Sequence, residues 1–188
     1  MKQTLLLLSI TIVLTACSSP IEETMSRDVE DFQGVNQSGE TITFPDHYEG
    51  EYWVASFIFT RCDTVCPPMT SNMSRLQQQL KENDLHTSLV SFSVDPEYDT
   101  PEKLKEFADQ YNVDFETWDF MTGYDFQEIK ELSIKSFRSP LNQLEDSDQM
   151  AHGTNFFLVN SDGTVVKSYD GTKAEEMKNI VEDLKKIQ

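Results

Sequence analysis

The chain has 188 residues with 33 acidic against 15 basic side chains, a formal charge of −18. Hydrophobic residues make up 38% and charged residues 26%, the balance of one globular domain able to bury its own core, plus a short extension. So acidic a chain is ill suited to nucleic acid, whose phosphates are held by clustered Lys and Arg. The charge fits either a solvated, self-repelling surface or attraction for cations and basic partners.

The sequence starts Met1-Lys2-Gln3, runs apolar from Thr4 to Leu14, and reaches Leu14-Thr15-Ala16-Cys17. A short basic start, an apolar stretch too short to span a bilayer permanently and small residues before a cleavage point describe a secretory signal over residues 1–16. The cysteine directly after them resembles the bacterial lipobox, which implies that Cys17 becomes the mature N-terminus and carries diacylglycerol through a thioether. Ordinary cleavage leaving a stray thiol is the alternative. Ser18 to Val29 is polar and acidic with Pro20, so 17–29 reads as lipid anchor and tether and 30–188 as the folded domain. The expected location is the outer face of a bacterial cytoplasmic membrane.

Phe32 to Phe44 holds two short alternating runs around Asn36-Gln37-Ser38-Gly39, a hairpin signal. From Trp53 the chain is apolar and rich in aromatic and β-branched residues, the pattern of a buried strand. A helix follows Pro67-Pro68, with Met69, Met73, Leu76 and Leu80 on one face and a fade near Asn83-Asp84. His86 to Val94 is a second buried strand. Thr100 and Pro101 start a helix with Leu104, Phe107, Ala108 and Tyr111 inward. Asp119 to Thr122 is strand-like, and Asp125 to Phe137 helical with Phe126, Ile129, Leu132 and Ile134 inward. Arg138 to Ala151 is polar, acidic and without periodicity, which predicts a long mobile loop. Thr154–Val159 and Thr164–Tyr169 flank the turn Asn160-Ser161-Asp162-Gly163, and a last amphipathic helix runs from about Ala174 to Lys186. This order predicts an α/β fold, a mixed central sheet flanked by helices with an N-terminal hairpin, on the thioredoxin-like plan.

Between the central strand and its helix lies Cys62-Asp63-Thr64-Val65-Cys66-Pro67-Pro68. Proline belongs in the first helical turn, which puts Cys66 at or near the N-cap. Free amides and the helix dipole favour negative charge there, so both thiols are expected to have depressed pKa values. A bridge across so short a loop would restrain the unfolded chain little, and redox or metal chemistry explains the pair better. Thiolates favour Cu(I) or Zn(II). Among the three histidines, His47 and His86 sit in polar surface stretches, whereas His152 ends the long loop just before an apolar strand, where sheet proteins gather their sites. Met69, Met73, Trp53, Phe57 and Phe59 read as core.

The runs FIFTRCDTVCP and SVDPEYDTP, and a histidine just before FFLVNSDG, resemble the Sco/SenC family of membrane-anchored copper proteins over roughly Val29 to Lys186. The resemblance implies a thioredoxin-like domain that binds copper, Cu(I) and Cu(II), through Cys62, Cys66 and His152. It implies a metallochaperone, expected to be monomeric, that assists assembly of the dinuclear copper centre of cytochrome c oxidase subunit II. Asp95 in SVDP becomes a candidate for a group behind the ligands, with a plain turn before Pro96 as the alternative. Two departures stand out: Asp63-Thr64 where the family often has Pro-Asp, and Ala151 where it has an acid before the histidine. Any group orienting the imidazole must then come from elsewhere. Copper(I) on two thiolates and an imidazole carries one negative charge, which the helix start and Arg61 could offset. A thiol–disulfide oxidoreductase keeping the oxidase cysteines reduced is the competing function, with Cys62 and Cys66 as its redox pair and His152 dispensable. A Cys₂His zinc site and a thiol peroxidase are further alternatives.

Overall fold

The structure is a computed structural model and describes residues 20–188; the signal segment and Cys17 lie outside the described residues. Strands β1 (Arg27–Asp28), β2 (Phe32–Val35), β3 (Thr41–Phe44) and β4 (Trp53–Ile58) come first, followed by helix α1 (Cys66–Glu82). Then come β5 (Ser88–Ser93), α2 (Pro101–Ala108), β6 (Trp118–Met121), α3 (Phe126–Lys135), β7 (Leu141–Gln143) and β8 (Met150–His152). The chain ends with β9 (Asn155–Val159), β10 (Thr164–Asp170) and α4 (Glu176–Ile187). The six-stranded main sheet has the order β1-β10-β9-β4-β5-β6. β4, β5 and β6 run parallel, and the β9–β10 hairpin lies antiparallel against β4. This is the mixed sheet and thioredoxin-like plan expected from the order of elements.

The six residues of β4 are all buried, which is why this strand is continuously apolar rather than alternating. Its register with β5 puts Phe57 beside Phe92, and Phe137 closes on both rings at the end of α3. Phe32 and Phe44 of the β2–β3 hairpin pack on Phe92 on this same face. On the other face Phe107 of α2 meets Phe120 of β6. Thr100 caps α2 with its side chain, and Asp125 and Glu128 form a reciprocal capping box at α3, so both helices start where their sequences say.

Four expectations change. The β2–β3 hairpin forms, but as a separate two-stranded sheet tied to the main body by the Val35–Thr122 bridge. The described part of the 17–29 tether is docked: Ile21 and Val29 are buried, and β1 adds to the β10 edge. Edge pairing needs backbone more than side chains, so a polar sequence gave no sign of it. Ile134 is 47% exposed because it lies about 140° around the helix from Ile129; Ile129 and Leu132 are buried, as are Ser133 and Phe137. The segment 138–151 is not one irregular loop. It forms the β7–β8 hairpin, with Leu141 opposite His152, and Leu141 is buried as its foot.

Candidate metal centre

Residues Phe59 to Val65 carry the chain from β4 into α1. The Thr60 amide donates to the Asp99 carboxylate at 3.1 Å, and the hydroxyls of Thr60 and Ser93 donate to it as well. Asp99 is wholly buried, so the turn after β5 grips the loop two residues before Cys62. Burial raises the Asp99 carboxyl above its ordinary value, opposed by those three donors.

Val65 is the N-cap residue and Cys66 the first residue of α1, with proline in the first turn. The Cys66 amide, lacking a partner within the helix, donates to Cys62 Sγ at 3.3 Å. Cys62 is 7% exposed and Cys66 wholly buried, and no disulfide joins them. The Cys62 thiol is brought down to about 3, first by the hydrogen bond from the Cys66 side chain, against burial, with help from His152 and the Cys66 amide. Cys66 goes the other way: its bond to Cys62 and its burial push the thiol up. Depression of both thiols therefore fails for Cys66. A second ionisation would put two charges side by side in a buried site, so the pair keeps one proton between them.

His152 arrives from the opposite side on β8. Its Nδ1 lies 2.9 Å from the Gly153 carbonyl; a carbonyl only accepts, so Nδ1 carries the hydrogen and Nε2 is left as donor to a metal. Nε2 is 3.5 Å from Cys66 Sγ. The ring stands edge-on to Phe59, centroids 5.8 Å apart. Gly153 thus supplies the orienting acceptor that no neighbouring carboxylate provides. A side chain at Gly153 would collide with Ser139 Oγ.

The donor atoms of Cys62, Cys66 and His152 all lie within 4.8 Å of one another, the only such group of Cys, His, Asp or Glu found among the described residues. Metal–sulfur bonds of about 2.3 Å and metal–nitrogen bonds of about 2.0 Å separate neighbouring ligand atoms by roughly 3.5–4 Å, so the three fit one ion with small adjustments. Two sulfurs and an imidazole form a soft set suited to Cu(I), Cu(II) or Zn(II). His47 and His86 are exposed elsewhere, and Met69 and Met73 are core.

Asp95 does not touch the imidazole. It is buried and takes Arg61 Nε at 2.9 Å and a terminal guanidinium nitrogen at 2.6 Å, so it reaches the site only through Arg61. Arg61 in turn is committed to carboxylates, with Asp148 a further 3.5 Å contact. Balancing charge at the sulfurs is left to the helix start. Sequence reasoning missed Asp99 and Gly153; the third acid of SVDPEYDTP and the glycine directly after His152 were the available signals.

Fold and site together define a thioredoxin-like protein with a Cys₂His donor set at the start of its first long helix. The chain belongs to the SCO1/SenC family, whose pattern it matches over residues 22–188. It is 42% identical over 173 residues to the SCO1 protein homolog of Bacillus subtilis, covering 92% of this chain and 89% of that one. The structure is similar to that of BsSco, described as a member of the Sco family of cytochrome c oxidase assembly proteins with a disulfide switch. That likeness has a TM-score of 0.80 and 42% identity over 88% of this chain and 95% of the other. It is also similar to Bradyrhizobium japonicum ScoI with copper bound, with a TM-score of 0.69 and 25% identity over 86% and 99% of the two chains.

Proposed function

We propose that this protein is a copper metallochaperone, held to the outer face of the bacterial cytoplasmic membrane by lipid on Cys17, that assists assembly of the dinuclear copper centre of cytochrome c oxidase subunit II. The observation that carries the reading is the convergence of Cys62, Cys66 and His152 within 4.8 Å. Family membership and the copper held by the Bradyrhizobium relative support copper as cargo. The oxidase-assembly role ascribed to BsSco supports the target. The anchor rests on the lipobox-like Leu14-Thr15-Ala16-Cys17.

Copper would be held by the two sulfurs and His152 Nε2. Sulfur favours Cu(I), and the imidazole lets the same site accept Cu(II). The test is a copper titration of the reduced protein and of His152→Ala, followed by absorption and electron paramagnetic resonance, with zinc as competitor. Loss of His152 should weaken binding at least tenfold and change the Cu(II) spectrum. An unaltered titration and spectrum would overturn the three-ligand site.

The Cys62 thiolate favours a second reading, reduction of the cysteines of the oxidase copper site. Cys62 would attack a partner disulfide, and Cys66 would then displace the partner from the mixed disulfide. Two electrons pass to the partner while Cys62–Cys66 closes, and the partner's two sulfurs take up the Cys66 proton and one from solvent. An insulin-reduction assay with and without copper separates the readings, since this activity requires both cysteines and neither copper nor His152.

A further inference from the structure

Arg61 precedes the first cysteine, and its contacts run to two other segments. The guanidinium binds Asp95 in the turn after β5 through two nitrogens, at 2.9 and 2.6 Å. It lies over the Tyr98 ring at 4.1 Å, which fixes its plane in that turn. Its remaining arm approaches Asp148 at 3.5 Å, and its backbone carbonyl accepts the Gln149 side-chain amide at 3.2 Å. Asp148 and Gln149 directly precede β8, which ends at His152. One residue therefore joins the cysteine loop, a buried carboxylate and the strand that delivers the imidazole.

The surroundings make this joint consequential. Residues 142–148 are all exposed, so the outer part of the hairpin gains little from packing. On the α3 side the hairpin is held by buried Leu141 and by Lys130 donating to Asn142 at 3.1 Å. On the cysteine side, apart from the 3.5 Å contact between Cys66 Sγ and His152 Nε2, the polar ties are those to Arg61, with Met150 packed partly against the core between them and His152. The planar guanidinium can serve two carboxylates at once, which a lysine ammonium matches poorly. We propose that Arg61 is a positioning residue for His152: by clasping Asp95 on one side and Asp148 and Gln149 on the other, it holds the β7–β8 hairpin closed over the cysteine pair. The proposal rests on His152 being a ligand. Asp95 is then the buried base of the clasp.

The test uses hydrogen–deuterium exchange of the copper-free protein over residues 142–152, which reads the hairpin whether or not the copper assignment holds, together with Cu(I) affinity by chelator competition. Arg61→Ala should speed exchange in that segment about tenfold or more and weaken Cu(I) binding by a similar factor. Arg61→Lys, keeping the charge and losing the fork, should fall between. Because Arg61→Ala strands the buried Asp95 and can upset folding, the deciding variant is Asp148→Asn with Gln149→Ala. That variant leaves the Arg61–Asp95 pair intact and should accelerate exchange in the hairpin alone, with the melting temperature nearly unchanged. Its ion-pair share should be reproduced in wild type by high salt. If the double variant exchanges as wild type does, the clasp is refuted. If exchange rises while copper affinity stays put, the positioning of His152 is refuted and the hairpin is merely tied. Failure of the ligand assignment shows separately, as an unchanged His152→Ala titration.

Discussion

His152 Nε2 stands 3.5 Å from Cys66 Sγ because its other nitrogen is spent on the carbonyl of Gly153, 2.9 Å away. The tautomer and the ring direction are set by the residue next in the chain, and a side chain there would have to displace the Ser139 hydroxyl. Gly153→Ala should therefore misdirect the imidazole: the new methyl group meets Ser139 Oγ, and Ser139 is buried. Overpacking of this kind costs about 1–3 kcal/mol. The expected result is a lower melting temperature together with copper binding weakened toward that of His152→Ala. A variant that melts early yet binds copper as wild type would show that the ring tolerates the shift.

The cysteines divide their chemistry unequally. With Cys62 brought down to about 3 and Cys66 pushed up, native reduced protein freed of copper by chelation should be alkylated at Cys62 alone, since Cys66 is also wholly buried. Between pH 5 and 8 an ordinary thiol gains roughly a thousandfold in thiolate and hence in rate. Cys62 is ionised across that whole range, so its rate, slow from burial, should stay nearly flat. Iodoacetamide labelling read by mass spectrometry checks this. A rate that climbs with pH like a free thiol's would remove the shared-proton description of the pair.

What was legible in the sequence follows from what is local. The apolar run of β4, the prolines opening α1, the caps at Thr100 and Asp125 and the turn before β10 are short-range signals, and each element formed within a few residues of its expected place. Position relative to strand and helix singled out the cysteine pair and left His152 open; the set of three came from the family resemblance, and the fold brings those three side chains within 4.8 Å. Contacts made by polar side chains between distant segments were not. Arg61 looks free to balance the sulfurs until Asp95 and Asp148 are seen around it. Nothing in 138–151 announces a hairpin, because its strands are three residues each and only Leu141 among 141–148 is buried. The docking of residues 20–29 rests on two isolated apolar residues, Ile21 and Val29, and on backbone bonds, such as the Thr24 and Met25 amides to the Val166 carbonyl, which composition does not encode.

Asp99 should prove as sensitive as a ligand, although it touches no donor atom. Asp99→Ala would leave the Thr60 amide and the hydroxyls of Thr60 and Ser93 without their acceptor, at about 1–3 kcal/mol for a buried group left unsatisfied. The loss falls on the loop that presents Cys62. Asp99→Asn keeps one acceptor oxygen and sheds the buried charge, so it should be the milder change. Urea unfolding of both variants, beside their Cu(I) affinities, tests the ranking. Equal stability of Asp99→Ala and wild type would sink the argument.

A second carboxylate, far from the site, gives the fold an acid-sensitive joint. Asp183 on α4 takes Lys167 at 2.6 Å, the Tyr169 hydroxyl at 2.9 Å and Lys186 at 2.8 Å, tying the helix to β10. Burial works against its charge, but these donors prevail and hold the carboxyl below its ordinary value. A depressed carboxylate contributes stability that is complete above its unfolded pKa, about 4, and is lost as the pH falls through its folded pKa. Asp183→Asn should thus cost about 1–3 kcal/mol at pH 7, where Lys167 loses a largely buried partner. The cost should shrink as the pH drops below about 4, where the unfolded chain takes up the proton, and vanish below the lower folded pKa, where native wild type does too. Denaturant unfolding of the two proteins at pH 7 and at progressively lower pH measures the difference directly. A gap that stays constant throughout would mean that shape, rather than charge, is what Asp183 contributes.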